Sequence, residues 1–305
     1  MNPRAEQFLN DVQLGESRVQ YPEDVVFFCG GLIHPLPDQF SSLRDFIYTH
    51  RDNALVGKRI ILAEKAAEAF DSHVYDDLME FEKFIASIAR IVLLISESPG
   101  SIAELGAFSQ IGEISPKLLV FIHSQFYGQN SFIKDGPVRY LENRNEQSVF
   151  EFDWLTDVQG MVQVPSAVPL LPAFAGAVRS FERRQNRTEK FSDRRIGHQI
   201  LLTAGVVHLL GCCKLREIAE GLEVLGFDFS EKQVKQMIFC LRLFGWVKSV
   251  KRDTTYFIYS GPIEAFQFRG NMTTRYFDFE RERFDVLQAY DKNDPRLSVM
   301  ETTVI

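Results

Sequence analysis

The sequence predicts an α/β protein: a Rossmann-like parallel-sheet domain followed by a small winged-helix domain. Three observations carry this. Over the first half, short apolar runs alternate with stretches of helical periodicity, the pattern of strands crossed over by helices. The first run, residues 25–28, closes on Cys29-Gly30-Gly31, as buried parallel strands do. Beyond residue 195 the pattern changes to short helices followed by a hairpin, the order of a winged helix.

Taken in order, residues 25–28 form the first strand and 38–50 read as a helix. Residues 59–63 form the second strand. Residues 76–89 place Leu78, Met79, Phe81, Phe84, Ile85 and Ile88 at helical spacing. The third strand is 91–95. A helix over 101–111 opens on Ser101, a good cap residue. Strands at 118–122 and 148–152 complete the sheet. Residues 157–176 hold three prolines and few charges and read as a linker; 179–195 are charged and read as a helical connector. An apolar helix spans 196–210. Residues 215–225 and 230–244 form a helix–turn–helix-like pair, with Ser230 and Gln233 as a capping box and Gly245 as the stop. Residues 246–250 and 256–259 flank a charged turn and make the wing. An amphipathic helix over 276–290 follows. The domains expected are a sheet domain at 22–155, a linker and connector at 156–195, and a winged-helix domain at 196–290.

The bulk numbers agree. A chain of 305 residues suits about two domains of roughly 100–200 residues each. Its apolar runs are strand-sized, well short of the roughly 20 residues of a membrane helix. The polar start MNPRAEQFLNDVQ lacks the apolar core of a signal peptide. We expect a cytoplasmic protein with no membrane contact. The four cysteines, Cys29, Cys212, Cys213 and Cys240, form no CxxC pair and show no zinc spacing, so no metal is expected. Reduced and buried is their expected state, with Cys29 set apart by its place at the strand end. Charge is uneven. Residues 1–178 carry 13 Lys and Arg against 24 Asp and Glu, whereas residues 179–269 carry 16 against 10. The only basic stretch thus coincides with the second domain and points weakly to nucleic acid there.

In a parallel sheet the ligand lies beyond the carboxyl ends of the strands. The loops that matter are 29–37, 64–75, 96–101 and 123–137. The most informative segment, ESPGSIAELGAF at 97–108, directly follows the third strand. Pro99-Gly100-Ser101 reads as a tight strand-to-helix turn whose N–H groups, with the helix dipole behind them, favour an anionic or hydroxyl-rich ligand. Ser98 and Ser101 are candidate ribose or phosphate contacts. Glu104 falls one turn into a helix that Leu105, Ala107 and Phe108 mark as largely buried, and an acid there needs a partner or a task. One task is nucleophilic attack on a glycosidic carbon; the structural alternative is to complement the helix dipole. Such chemistry wants a second group at the leaving base. Glu82 is the candidate, with Asp76, Asp77 and Glu80 nearby; each is otherwise a solvated helix charge. Cys29, Gly30 and Gly31 would let a ligand approach the first strand. Arg139, after the turn Gly136-Pro137, would bind a phosphate bidentately or pair with a surface acid. His34 and His123, in edge loops, are less favoured proton carriers. In the second domain Lys232, Lys235 and Arg242, with Lys248, Lys251 and Arg252 of the wing, are placed to meet phosphates; the alternative is a protein-docking module.

The order of strand, xxGG, helix, acidic helix, strand and then [DE]xxGSxxELG resembles the nucleoside 2-deoxyribosyltransferase superfamily. The resemblance implies that Glu104 is the nucleophile. It implies that Glu82, 22 positions earlier, handles the base where the family carries Asp. The family's sugar-binding Asp falls on Ser98, and its first-strand aromatic falls near Cys29-Gly30; both departures suit transfer to water. Together, ESPGSIAELGAFS (97–109) and SFIKDGPVRYL (131–141) resemble the effector proteins of type II retrons across roughly residues 22–290. That resemblance implies a toxic partner in an antiphage toxin–antitoxin system, restrained by a reverse transcriptase and its RNA–DNA product, msDNA. It implies cleavage of a nucleotide, NAD foremost, as substrate with no separate cofactor, and self-assembly or a complex with the reverse transcriptase. Two other readings stay open: a non-catalytic nucleotide-sensing DNA-binding regulator, and a phosphoribohydrolase, whose PGGxGTxxE segment has one glycine more than SPGSIAE here.

Overall fold

The computed structural model describes residues 1–36, 39–128, 130–270, 278–291 and 293–303. They form two compact units, each assembled from separate stretches of chain. The sheet unit comprises Asp24–Phe70 and Ala89–Asn186; the second comprises Met1–Glu23, Asp71–Ile88 and Arg187–Ile305.

The sheet unit is built on five parallel strands: β1 (Val25–Cys29), β2 (Arg59–Leu62), β3 (Ile91–Ser96), β4 (Leu118–His123) and β5 (Val149–Phe152). Their order is β2-β1-β3-β4-β5. Phe27 lies between Ile61 and Val92, and Phe121 lies opposite Phe150. The central strands β1 and β3 are buried at every position, which is why they read as continuous apolar runs rather than alternating ones. The Rossmann-like α/β sheet expected from the sequence is present.

Helices border this sheet. The stretch 38–50, read as one helix, holds Leu43–Thr49 followed by the short Arg51–Ala54; Asp38 lies outside the described residues. The helix after β3 starts earlier than expected, at Pro99–Gln110, with Ser98 as its cap. Proline at the first helical position loses no hydrogen bond, since that N–H has no helical partner. The proline-rich stretch is not a bare linker. It contains a short helix, Val164–Ala167, and the first half of the helix Leu170–Arg183. Pro172 sits in the latter's first turn, where proline is tolerated. Phe174, Val178 and Phe181 of that helix join Phe121 and Phe152 in the core of the unit.

In the second unit, helix Leu78–Ile88 packs against helix Ile196–Leu210. Gly197 permits this approach: a Cβ there would lie 2.3 Å from the Ser87 carbonyl oxygen. Helices Leu215–Val224 and Glu231–Leu243 follow. The Ser230–Gln233 capping box is formed as expected. Val247–Lys251 and Thr255–Tyr259 make the hairpin, extended by Cys212–Cys213 into a three-stranded antiparallel sheet. A second such sheet joins Arg18–Gln20 to Thr188–Lys190 and Phe266–Gln267. Helix Phe279–Gln288 realises the last expected helix; residues 276 and 277 lie outside the described residues. Among the described residues no helix is long and apolar enough to cross a membrane.

Candidate active site

The strand order fixes where a ligand would sit. From β1 the chain goes to β2 on one side and later returns to β3 on the other. The loops after β1 and β3 therefore diverge, and a crevice at such a switch point is where open α/β sheets bind ligands.

The loop after β1 is held by its neighbours. A Cβ on Gly30 would lie 2.7 Å from Arg44 Cδ; one on Gly31 would lie 2.5 Å from Ser42 Cβ and 3.0 Å from Glu97 Oε1. The two glycines thus admit Arg44, Ser42 and Glu97 to the backbone. Arg44, fully buried, donates to the Gly31 carbonyl at 3.0 Å and is paired with Glu64. Glu97 accepts three backbone N–H groups, from Gly31 at 3.1 Å, Leu43 at 2.7 Å and Arg44 at 3.1 Å. Its carboxylate fastens the β1 loop and the start of helix Leu43–Thr49 to the end of β3. Burial raises the Glu97 pKa above the ordinary carboxyl value, outweighing the backbone donors and the Arg44 charge that pull it down.

Directly beyond Glu97, Ser98 caps helix Pro99–Gln110. The Ser101 N–H donates to Ser98 Oγ at 3.2 Å, and Ser101 Oγ accepts the N–H groups of Ser98 and Glu97. Ser101 is buried, whereas Pro99 and Gly100 are exposed. Glu104 follows on the same helix, which packs on β3, β4 and the turn Lys134–Val138. Glu104 is half-buried and its Oε2 is shielded from solvent.

A cavity of about 330 Å³ opens at this edge. Gly31, Ser41, Ser42, Glu97 and Ser98 form its polar wall; Leu32, Phe126, Trp154 and Val162 form an apolar one. The polar wall is knitted internally, since the hydroxyls of Ser41 and Ser42 both donate to the Leu32 carbonyl, at 2.7 and 2.8 Å. His123 also lines the cavity, yet its ring is committed. Nδ1 accepts the Gln125 N–H at 3.0 Å, which leaves Nε2–H to donate to the Trp154 carbonyl at 2.9 Å. His34 Nδ1 similarly accepts the Leu36 N–H at 3.1 Å. The two histidines stabilise their loops. Glu104 is not among the residues lining this cavity.

Of the other residues singled out, Cys29 is wholly buried in the strand. Glu82 is buried on helix Leu78–Ile88 and belongs to the second unit, while Glu104 belongs to the sheet unit. Arg139 is exposed and pairs with Asp135 at 2.6 Å, one turn earlier. Lys232 pairs with Asp76 at 2.5 Å and Lys235 with Glu231 at 2.6 Å. Arg242, Lys251 and Arg252 are exposed and have no acidic partner among the described residues. Among those residues, no group of three His, Cys, Asp or Glu side chains is arranged to hold a metal ion.

Against known families, the model of the STM3845 retron effector protein matches residues 41–249, more than half of the chain. The chain belongs to the STM3845 retron effector family. This retron effector is also similar to two Escherichia coli proteins, the retron Ec86 and retron Ec73 putative ribosyltransferase/DNA-binding proteins. To the first it is 40% identical over 72 residues, 24% of each chain. To the second it is 26% identical over 139 residues, 44% of this chain and 43% of the relative. It thus matches less than half the length of either.

In this retron effector the residues that sequence reasoning passed over are Glu97, Arg44 and Trp154. Glu97 was only the first letter of a motif. Its three donors lie 53 to 66 residues upstream, and no local pattern marks such a partner. A signal for Arg44 did exist: an arginine on a short helix beside a Gly-Gly turn and ahead of Glu64.

Proposed function

We propose that this retron effector is the toxic component of a cytoplasmic antiphage system and hydrolyses the N-glycosidic bond of a nucleotide, NAD foremost. The observation that carries this is the placement of Glu104: a half-buried carboxylate with one shielded oxygen, on the helix that leaves the switch point. The two relatives, both putative ribosyltransferases by name, support the same class of chemistry.

In the proposed reaction a Glu104 oxygen attacks the anomeric carbon as its bond to the base nitrogen breaks. With NAD the leaving nitrogen is already cationic, so it takes the bonding electron pair and departs as neutral nicotinamide without a proton. Water then attacks the same carbon, loses a proton to solvent, and releases the Glu104 carboxylate and the ribosyl product, ADP-ribose in the case of NAD. A neutral nucleoside needs a proton at its base. Ser98, Pro99, Gly100, Ser101 and Arg139 are the proposed ribose and phosphate contacts, with Gly31 in the cavity wall. We read the three helices and hairpin of the second unit as a winged helix, the element through which msDNA and the reverse transcriptase would restrain the toxin.

The test is Glu104→Gln in purified protein free of reverse transcriptase, with nicotinamide release from NAD and base release from nucleosides followed side by side. Loss of both activities in a variant that melts like the wild type is the expected result. Unchanged turnover overturns the assignment.

A further inference from the structure

Helix Glu231–Leu243, the expected nucleic-acid-reading helix, is covered differently on its different faces. One face of it, centred on Gln236 to Cys240, is occupied by the chain's own residues 71–81. Gln236 Nε2 donates to the Val74 carbonyl at 3.0 Å and to Glu80 at 3.1 Å. The buried Tyr75 hydroxyl donates to the Gln236 carbonyl at 2.7 Å. Lys232 is held by Asp76. Tyr75 and Phe81 meet Phe239 edge-on, with ring centroids 5.8 and 5.7 Å away. A duplex reader inserts this helix into the major groove along its exposed face, N-terminal residues first. Here Lys232 at that end is drawn onto Asp76, and Gln236 one turn on is held by Val74 and Glu80.

The face toward the hairpin is open. Two hollows of about 530 and 580 Å³ adjoin there and share Phe239 and Arg242. Lys214 and Lys235 rim one and Lys248 rims the other. Their floor is apolar, with Ile238, Leu243, Val250 and Phe257. Asp71 is the only acid lining either among the described residues. Arg242, Lys248, Lys251 and Arg252 have no acidic partner among the described residues, and Lys214 lies over the Tyr256 ring at 5.6 Å. Cations that are not neutralised internally, beside an apolar floor with a half-buried aromatic, make the combination that takes a strand with its bases exposed: phosphates on the rim, base faces on the floor. A duplex, with its bases stacked away, has no use for that floor.

We propose that this trough between helix Glu231–Leu243 and the hairpin binds single-stranded nucleic acid, with Arg242 and Lys248 on its phosphates and Phe239 under a base. The biological use of the trough rests on the effector assignment above; the binding itself does not. The experiment is fluorescence anisotropy of the full chain with labelled oligo-dT, oligo-rU and a duplex of equal length, across a salt series. A strand, DNA or RNA, is expected to bind about tenfold or more tighter than the duplex, and the tighter of the two strands names the sugar preferred. Arg242→Glu with Lys248→Glu abolishes strand binding. Arg242→Ala alone lowers the salt slope by about 0.7, the share of one phosphate on a single strand. Phe239→Leu, which keeps apolar volume against Tyr75 and Phe81, weakens binding about tenfold, the order of one lost stacked base. Lys232→Glu leaves binding unchanged. Equal or tighter binding of the duplex, or a loss with Lys232→Glu as large as with Arg242→Glu, overturns the trough. A chain that turns over nucleotide but binds no strand sinks the trough alone; one that binds the strand but turns over nothing sinks the glycosidase assignment alone.

Discussion

At the carboxyl edge of the sheet Glu97 accepts three backbone N–H groups and Arg44 is paired with Glu64. In the hairpin of the other unit, Lys248, Lys251 and Arg252 form no ion pair among the described residues. Both regions carry charge beside a hollow, yet the charge is used differently. At the sheet edge it fixes loops, so that a crevice keeps its shape without ligand. At the hairpin it is left for an outside counter-charge. The lesson is to ask what each polar group already holds before assigning it to a ligand. By that measure Glu97 and His123 are scaffold, although both lie where chemistry is expected.

The largest effect that tests this division is on activity. Glu104→Gln is predicted to reduce turnover on the order of 10⁴-fold, the scale of removing a member of a catalytic group, at unchanged melting temperature. Glu97→Gln, by contrast, is predicted to act first on folding. If Glu97→Gln abolishes turnover in a fully stable protein, Glu97 is no mere clamp and the contrast breaks. Second comes stability: Glu97→Ala leaves three N–H groups without their acceptor and is predicted to cost about 3 kcal/mol or more in urea unfolding, since each stranded polar group costs about 1–3 kcal/mol.

Third is the pH dependence, where two acids should differ in sign. The Glu97 pKa is raised, so the folded state holds its proton more tightly than the unfolded chain. Stability is predicted to fall as pH rises from about 4.3, the unperturbed value, through the raised one; Glu97→Gln removes that slope. Glu189, in the second unit, is held down at about 2, first by the His198 ring and then by the Arg195 guanidinium. Its contribution is present above the unfolded carboxyl value and is lost as pH falls toward about 2. Glu189→Gln is predicted to cost up to about 3 kcal/mol at neutral pH, and melting curves on both variants between acid and neutral pH check the pair. Smallest is Lys232→Glu, predicted to leave the melting temperature nearly unchanged, since exposed ion pairs add little to stability.

Much of this was legible in the amino-acid order. The central strands β1, β3 and β4 show as apolar runs because they are buried on both faces. The Ser230–Gln233 box shows because capping is a contact across three residues. Glu104 stands out because an acid among buried neighbours is unusual. What escaped depended on distance along the chain. Arg18–Gln20, Thr188–Lys190 and Phe266–Gln267 are two or three residues each and exist only because they meet. Helix Leu170–Arg183 was hidden by its prolines, one of which sits harmlessly in the first turn. The pairing of Lys232 with Asp76, 156 residues away, turned a candidate phosphate contact into an internal one.

One feature of the chain path bears on how this protein can be handled. The backbone passes between the two units four times, after Glu23, Phe70, Ile88 and Asn186. No single scission releases either unit whole. A fragment ending before residue 187 would strand helix Leu78–Ile88 without Ile196–Leu210, against which it packs, and expose the apolar faces of both. Truncations designed as if beads were strung in series would therefore yield insoluble pieces, and nicking by a protease at residue 186 would leave two fragments that still elute as one.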